Sequence, residues 1–117
     1  GEYREATCYV NGITSTFIYD RKEKELLLSP TLAVKFLQEG VIDKTNFEGD
    51  PTQLIGEGFV AENAVVILNE IRIGKNTVRG LRATVSKKAE SMLFGDAVMK
   101  QFGAYSVDDG SSEFIFE

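Results

Sequence analysis

The sequence contains one structural unit twice, and this repeat constrains the fold more than any other feature. The first copy starts at VNGI (residues 10–13) and continues through a strand and a polar loop to LLLSPTLAVKFLQEG. The second starts at IGKN (residues 73–76) and continues in the same order to MLFGDAVMKQFG, at an offset of about 65 residues. Each copy is predicted to be a hairpin, a polar loop, an apolar triplet and a short helix. The repeat therefore indicates a mainly β fold with one short helix in each half.

Local signals predict several turns and helix ends. Asn-Gly at residues 11–12 is typical of a tight two-residue hairpin turn, and residues 74–76 predict a second hairpin. Ser29 followed by Pro30 is typical of a helix N-cap and first turn, and Gly40 is expected to end that helix. The segment VIDKTNFEGDPTQ is expected to be a loop.

Three aspartates in the second half are interpreted as structural. Asp96 follows the MLFG motif and is expected to be the N-cap of the second helix, because a carboxylate there can accept backbone hydrogen bonds. Asp108 and Asp109 precede Gly110 and are expected to form a turn.

Length and composition indicate one globular domain that covers residues 1–117. The chain is 43% hydrophobic and 26% charged, a balance that is not typical of disorder. Thirteen basic residues against eighteen acidic ones give a net charge of −5, and no basic stripe stands out, so nucleic acid is not an expected partner. No apolar run approaches the roughly 18 residues that a membrane-spanning helix needs.

The chain contains no histidine and a single cysteine. The lack of histidine excludes Ser-His and Cys-His catalysis and removes the commonest metal ligand. Cys8 lies in an alternation of apolar and polar residues, which favours a buried structural thiol over a nucleophile. Glu23 and Glu25 lie near Asp20, but their spacing matches no metal-site signature. We therefore expect no metal and no cofactor.

The repeat, together with the strand that ends at Asp20, resembles the retropepsin-like aspartic proteases, the single-domain relatives of retroviral proteases. VNGITSTFIYD is similar to the strand that enters the active-site loop of that family, and LLLSPTLAVKFLQEGVID to the segment that follows in a bacterial branch. EIRIGKNTVRGLRATVS is similar to the second hairpin, and MLFGDAVMKQFG to the closing glycine-helix motif. The resemblance, from Tyr3 to Phe116, implies a closed β barrel with one or two short helices and a flap-like hairpin.

The resemblance also implies a site. In the family, two chains associate about a two-fold axis, and each contributes one aspartate to a pair that shares one proton. Asp20 occupies the position of that aspartate. Glycines suit the mobile tip of a flap that closes over a peptide, although they equally suit an ordinary turn. The residues that correspond to this flap are Ile55, Gly56, Glu57, Gly58 and Phe59.

The residues after Asp20 depart from the family pattern. Arg21 stands where the family has threonine, and Lys22 stands where it has glycine. The family's threonine hydroxyl forms a hydrogen bond across the dimer beneath the aspartates, and arginine has no acceptor atom for such a bond. Lysine carries a Cβ and resists the positive φ that glycine tolerates. The pattern therefore predicts a strand like that of a catalytic site, followed by a solvated charged loop.

Three functions remain open on these grounds. The preferred one is a catalytically inactive retropepsin-like homologue that binds a peptide or protein, expected as a homodimer. The second is an active aspartic endopeptidase that uses Asp20 at a two-fold dimer site. The third is a purely structural domain of an exported protein, a location that only the resemblance implies. The apolar residues 114–116 suit a shared sheet in a dimer and also the last strand of a monomer.

Overall fold

The structure, a computed structural model, describes the backbone of residues 3–108 and 113–116 and the side chains of residues 5–106. The strands in these ranges are β1 (Tyr3–Val10), β2 (Ile13–Asp20), β3 (Leu26–Leu28), β4 (Ile55–Gly56), β5 (Phe59–Val60), β6 (Val65–Ile73), β7 (Asn76–Val85), β8 (Met92–Phe94), β9 (Tyr105–Asp108) and β10 (Glu113–Phe116). The α-helices are α1 (Pro30–Gln38), α2 (Pro51–Leu54) and α3 (Asp96–Lys100), and a 3-10 helix covers Lys44–Asn46. None of the described helices is long and apolar enough to cross a membrane.

Six of the strands close into a barrel, in the order β1-β2-β8-β3-β7-β6. The barrel closes where β1 pairs with β6, with Tyr9 opposite Arg72 and Val10 opposite Ile71. The long antiparallel hairpins β1–β2 and β6–β7 make up most of the wall. Two small hairpins, β4–β5 and β9–β10, form separate two-stranded sheets. The predicted mainly β closed barrel is confirmed.

The two sequence copies occupy equivalent positions in the barrel. β2 pairs in parallel with β8, and β7 pairs in parallel with β3. Ile18 lies opposite Leu93 in the first pairing, and Thr84 lies opposite Leu27 in the second. Residue i of the first unit thus corresponds to residue i + 66 of the second. This relation gives the barrel an internal approximate two-fold symmetry.

The symmetry extends to the loops that lead into the helices. The amide of Ser29 donates to the carbonyl oxygen of Ser91 at 2.6 Å, and the amide of Gly95 donates to the carbonyl oxygen of Glu25 at 3.2 Å. The start of each helix is therefore held by the loop of the other unit.

Three of the local sequence signals, two at the ends of α1 and one at the first hairpin turn, are confirmed. Asn11 and Gly12 have φ of 51° and 83°, as a type I′ hairpin turn requires. Ser29 is the N-cap of α1, and its Oγ accepts a hydrogen bond from the Leu32 amide at 3.0 Å. Gly40, with φ of 74°, follows the end of α1 in the left-handed conformation.

The core of the barrel contains stacked aromatic rings and the single cysteine. The ring of Phe94 stacks on Phe17 at 4.3 Å between centroids and on Phe102 at 6.2 Å. Cys8 is fully buried, and burial raises the pKa of its thiol to about 12. The prediction of a buried structural thiol is confirmed, since such a thiol is neither charged nor accessible at neutral pH.

Two local predictions are wrong, and one lies outside the described residues. The segment expected to be a loop contains the 3-10 helix and most of α2, because Asp43 and Asp50 each cap a short turn with a side-chain oxygen. Asp96 is the first residue of α3 and not its N-cap; Gly95 holds that position without a side-chain hydrogen bond. The turn expected at Asp108–Gly110 falls outside the described residues.

The fold leaves no space for a side chain at Gly95. A Cβ built on Gly95 would lie 2.0 Å from the carbonyl oxygen of Glu23. We predict that Gly95→Ala lowers the free energy of unfolding by about 3 kcal/mol or more, because the backbone of residues 23–24 has to move. Urea unfolding followed by circular dichroism measures this loss.

Gly56→Ala is the matched control for that substitution. A Cβ at Gly56 would make ordinary contacts, at 3.6 and 3.7 Å, with the side chain of Phe59. Its free energy of unfolding should stay within about 1 kcal/mol of the native value. Equal unfolding midpoints for the two variants would contradict the close packing at Gly95.

Candidate functional site

Asp20 is the last residue of β2 and lies on the outer face of that strand. Side chains alternate along β2, so Phe17 and Tyr19 are buried in the barrel while Ile18 and Asp20 face the other way and are half-buried. Both outward residues line a cavity of about 810 Å³ beside the barrel. We call this the Asp20 cavity.

The charged run after Asp20 forms a tight turn that the aspartate itself stabilises. Oδ1 of Asp20 accepts a hydrogen bond from the Lys22 amide at 2.9 Å, and its carbonyl oxygen accepts one from the Glu23 amide at 3.0 Å. This is an Asx turn, in which the carboxylate binds the backbone two residues ahead. Arg21 and Lys22 are exposed on it. We call residues 20–25 the charged turn.

The second sequence copy makes the same turn with a serine. Ser86 is equivalent to Asp20: its Oγ accepts a hydrogen bond from the Lys88 amide at 3.1 Å, and its carbonyl oxygen accepts one from the Ala89 amide at 3.2 Å. We call residues 86–91 the serine turn. Because a hydroxyl and a carboxylate serve equally, the turn itself does not require an acid.

Sequence reasoning missed Ser86, although a signal for it was present. DRKEKELLLSP and SKKAESMLFGD have the same length and align without a gap, with the aspartate of one opposite the serine of the other.

Glu23 connects the two turns. Its Oε2 accepts hydrogen bonds from the amides of Lys24 at 2.9 Å and Glu25 at 3.1 Å, and its Oε1 lies 3.5 Å from Nζ of Lys88 on the serine turn. Burial acts to raise the pKa of the Glu23 carboxyl, but the two amides and Lys88 outweigh it, so its pKa lies below the ordinary value. Glu23 is therefore an ionised group that holds the turns together.

The Asp20 cavity combines charged and apolar groups. The base includes the buried Met92 and the half-buried Ile18 and Leu93. The charged residues that line it are Glu5, Asp20, Lys22, Glu23, Lys88 and Glu90. Among the described residues, no group of three or more His, Cys, Asp or Glu side chains could hold a metal ion. The cavity can thus offer charges, hydrogen bonds and apolar contact to a ligand.

The hairpin predicted to be a flap lies beside α1. β4 and β5 pair Ile55 with Val60 and Gly56 with Phe59, and Glu57 and Gly58 form the turn between them. Residues 55–59 are all described, and none of them lines the Asp20 cavity. Four of the five, all except Glu57, line hollows against α1. The structure thus places Asp20 and the predicted flap at different cavities.

Asp96 binds side chains that come from elsewhere in the barrel. Its Oδ1 accepts hydrogen bonds from the hydroxyls of Tyr105 and Tyr19, the latter at 3.3 Å, and its Oδ2 lies 2.9 Å from Nζ of Lys100. The Tyr105 hydroxyl, and after it Lys100, holds the pKa of Asp96 below its ordinary value. Because Tyr19 precedes Asp20, these bonds hold the end of β2 against α3.

The equivalence of Asp20 and Ser86 predicts which substitutions the charged turn accepts. Asp20→Ser should keep the free energy of unfolding within about 0.5 kcal/mol of the native value, since serine makes the same turn at position 86. Asp20→Ala removes the acceptor and should lower it by about 1 kcal/mol. Urea unfolding of both variants checks this. An equal loss in Asp20→Ser and Asp20→Ala would contradict the equivalence.

Glu23 should make stability depend on pH in the acid range. Its folded pKa lies below the ordinary value of 4.5, so the ionised carboxylate stabilises the fold above that pH, and the contribution is lost as the pH falls through the folded pKa. Glu23→Gln should lower the free energy of unfolding by about 1 kcal/mol at neutral pH, and the difference from the native chain should shrink below about pH 4. Urea unfolding over a pH series measures it.

Glu25→Gln is the control for the pH series, because Glu25 is the exposed neighbour of Glu23 on the same turn. It should follow the pH dependence of the native chain closely. If the difference in the free energy of unfolding between the native chain and Glu23→Gln stays constant with pH, the carboxylate charge does not stabilise the fold.

The fold is similar to that of a retropepsin-like aspartic protease from Rickettsia conorii. The TM-score is 0.61 at 18% sequence identity, over 92% of this chain and 76% of the other. The sequence matches no protein-family model, and no curated protein matches it. At this identity the similarity establishes the fold alone: the chain forms a mainly β closed barrel of the retropepsin-like type.

Proposed function

We propose that this chain is an aspartic-protease-like domain that binds a peptide or protein segment and does not hydrolyse it by the two-aspartate mechanism. The charged turn carries the proposal. Oδ1 of Asp20 binds the Lys22 amide, and Arg21 and Lys22 are exposed on the turn. The likeness to a retropepsin-like protease supports the aspartic-protease-like domain.

Two-aspartate hydrolysis needs two carboxylates that share a proton, one to activate water and one to donate a hydrogen bond. In the family that the sequence resembles, a threonine beneath each aspartate fixes this pair. Arg21 has no acceptor atom and is exposed, so it provides no such support. A second copy of Asp20 would meet a turn without the groups that align the pair.

The other carboxylate on the charged turn does not replace the missing partner. An acid partner has to be protonated at the working pH. Glu23 is bound by two backbone amides and Lys88, and its pKa is lowered instead of raised. Its contacts favour a structural role over proton transfer.

The position of the hairpin also favours binding over hydrolysis. Closure of a flap excludes water and completes a hydrolytic site. Residues 55–59 lie against α1 and do not line the Asp20 cavity. The cavity, at about 810 Å³, has the size of sites that hold small ligands or a few peptide residues. Its apolar and charged lining suits a polypeptide, which offers both kinds of group.

Peptide cleavage tests the proposal. A mixed peptide pool is incubated at a series of values from about pH 3 to about pH 8 with the native chain, with Asp20→Asn, and with the double substitution Arg21→Thr/Lys22→Gly. We expect no cleavage by the native chain or by Asp20→Asn, and saturable retention of peptides by the native chain. Light scattering on the same samples tests the homodimer expected from the family resemblance.

The double substitution tests whether the charged turn alone prevents hydrolysis in a fold that could otherwise cleave peptides. If it cleaves peptides, adding Asp20→Asn to it should abolish the activity, and the charged turn is then what prevents hydrolysis. Cleavage by the native chain that disappears in Asp20→Asn would overturn the proposal and identify an atypical aspartic endopeptidase. A native chain that neither cleaves nor retains peptides would instead favour a purely structural domain.

A further inference from the structure

A groove separates α1 from the small hairpin of β4 and β5. It has a volume of about 820 Å³ and lies between the Val34 side of α1 and Phe59. Val60 is buried at its base and Val34 is half-buried. A smaller hollow of about 220 Å³, which reaches Ile55, also includes Val34 and Phe59. We call the two together the α1–hairpin groove. Among the described residues, it shares no lining residue with the Asp20 cavity.

Phe59 is exposed in the groove to an unusual degree. Its exposed fraction is 55%, and among the described residues only Ile13, at 52%, is another large apolar side chain left so open. Phe59 lines both hollows, so an apolar group of a partner that fills either hollow can contact this side chain. Aromatic side chains in such concave settings commonly carry much of a binding energy.

The charged residues that line the groove are mainly lysines, although the chain as a whole has a net charge of −5. Lys35 and Lys87 line the larger hollow and Lys44 lines the smaller one. Within the described part of the chain, none of these three ammonium groups has an ion-pair partner. The one acidic lining residue, Glu62, accepts hydrogen bonds from the Lys87 amide at 3.0 and 3.2 Å.

We propose that the α1–hairpin groove binds an acidic protein segment that carries a large apolar side chain. The apolar side chain packs against Phe59, and flanking carboxylates pair with Lys35, Lys44 and Lys87. The free lysines complement a negative partner. The two hollows that Phe59 lines favour a segment whose side chains can fill them over a flat lipid surface. This site does not depend on whether the Asp20 cavity binds or cleaves a peptide.

Fluorescence anisotropy tests the proposal on the intact chain. The probe is a dye-labelled peptide in which one phenylalanine is flanked on both sides by aspartates and glutamates. Two control peptides replace the phenylalanine by alanine or the acidic residues by lysines. The native chain should bind the probe saturably and bind both controls about ten-fold more weakly or worse. Raising the ionic strength should weaken binding of the probe.

Matched substitutions locate the binding. Phe59→Ala should weaken binding about ten-fold or more, whereas Ile13→Ala, which removes the other exposed apolar side chain, should leave it unchanged. Phe59→Leu keeps an apolar contact and should stay within about three-fold of the native affinity. Lys35→Glu should weaken binding about five-fold at low salt, whereas the same change at the exposed Lys75, in the β6–β7 turn, should have little effect.

Several outcomes would overturn the proposal. These are the absence of saturable probe binding, equal binding of the lysine control, or equal effects of Phe59→Ala and Ile13→Ala. Binding to vesicles that contain phosphatidylserine, lost in Phe59→Ala while the probe does not bind, would assign the groove to a membrane surface instead. Concentration-dependent self-association that Phe59→Ala abolishes would assign it to a second copy of the chain. None of these readouts measures cleavage, so failure here is distinct from failure at Asp20.

Discussion

The barrel depends on one contact between its two halves, in which the backbone of residues 23–24 leaves no space for a side chain at Gly95. The charged turn lies against Gly95 more closely than any Cβ would allow, and the Gly95 amide donates to the carbonyl of Glu25. The bond from Ser29 to Ser91 repeats this arrangement in the other half. Each turn is thus positioned by the helix start of the opposite unit. The location of Asp20 follows from this contact between halves and not from its loop alone.

The comparison of Asp20 with Ser86 separates geometry from chemistry. Asp20 is the last residue of β2, and Ser86 directly follows the last residue of β7. Both accept a hydrogen bond from the amide two residues ahead and begin a lysine-containing turn. A carboxylate at this place is therefore compatible with catalysis, but it also has a sufficient structural reason to be there. What makes an aspartate catalytic is a second carboxylate held at the right distance. Here the nearby carboxylate, Glu23, is bound to amides and to Lys88.

The features that sequence predicted well are those determined by a few neighbouring residues. The Asn-Gly turn at residues 11–12 and the Ser29 cap depend on local backbone conformation and one local hydrogen bond. The barrel was predictable because the repeat indicates two equivalent β units. Asp96 was misassigned because Tyr19, 77 positions away, and Tyr105 compete for its carboxylate. The hairpin of β4 and β5 was also predicted, but its packing on α1 depends on tertiary contacts that no local sequence pattern encodes.

The parallel pairing of the two units has a consequence for how the chain is made. β2 finds its parallel partner only in β8, and β3 finds its partners only in β7 and β8. During synthesis, the first unit can form its hairpin and α1, but its sheet stays incomplete until residues near 94 have left the ribosome. High sequence separation between partners also slows folding. Until then the barrel cannot close, so its closure requires both units of the chain.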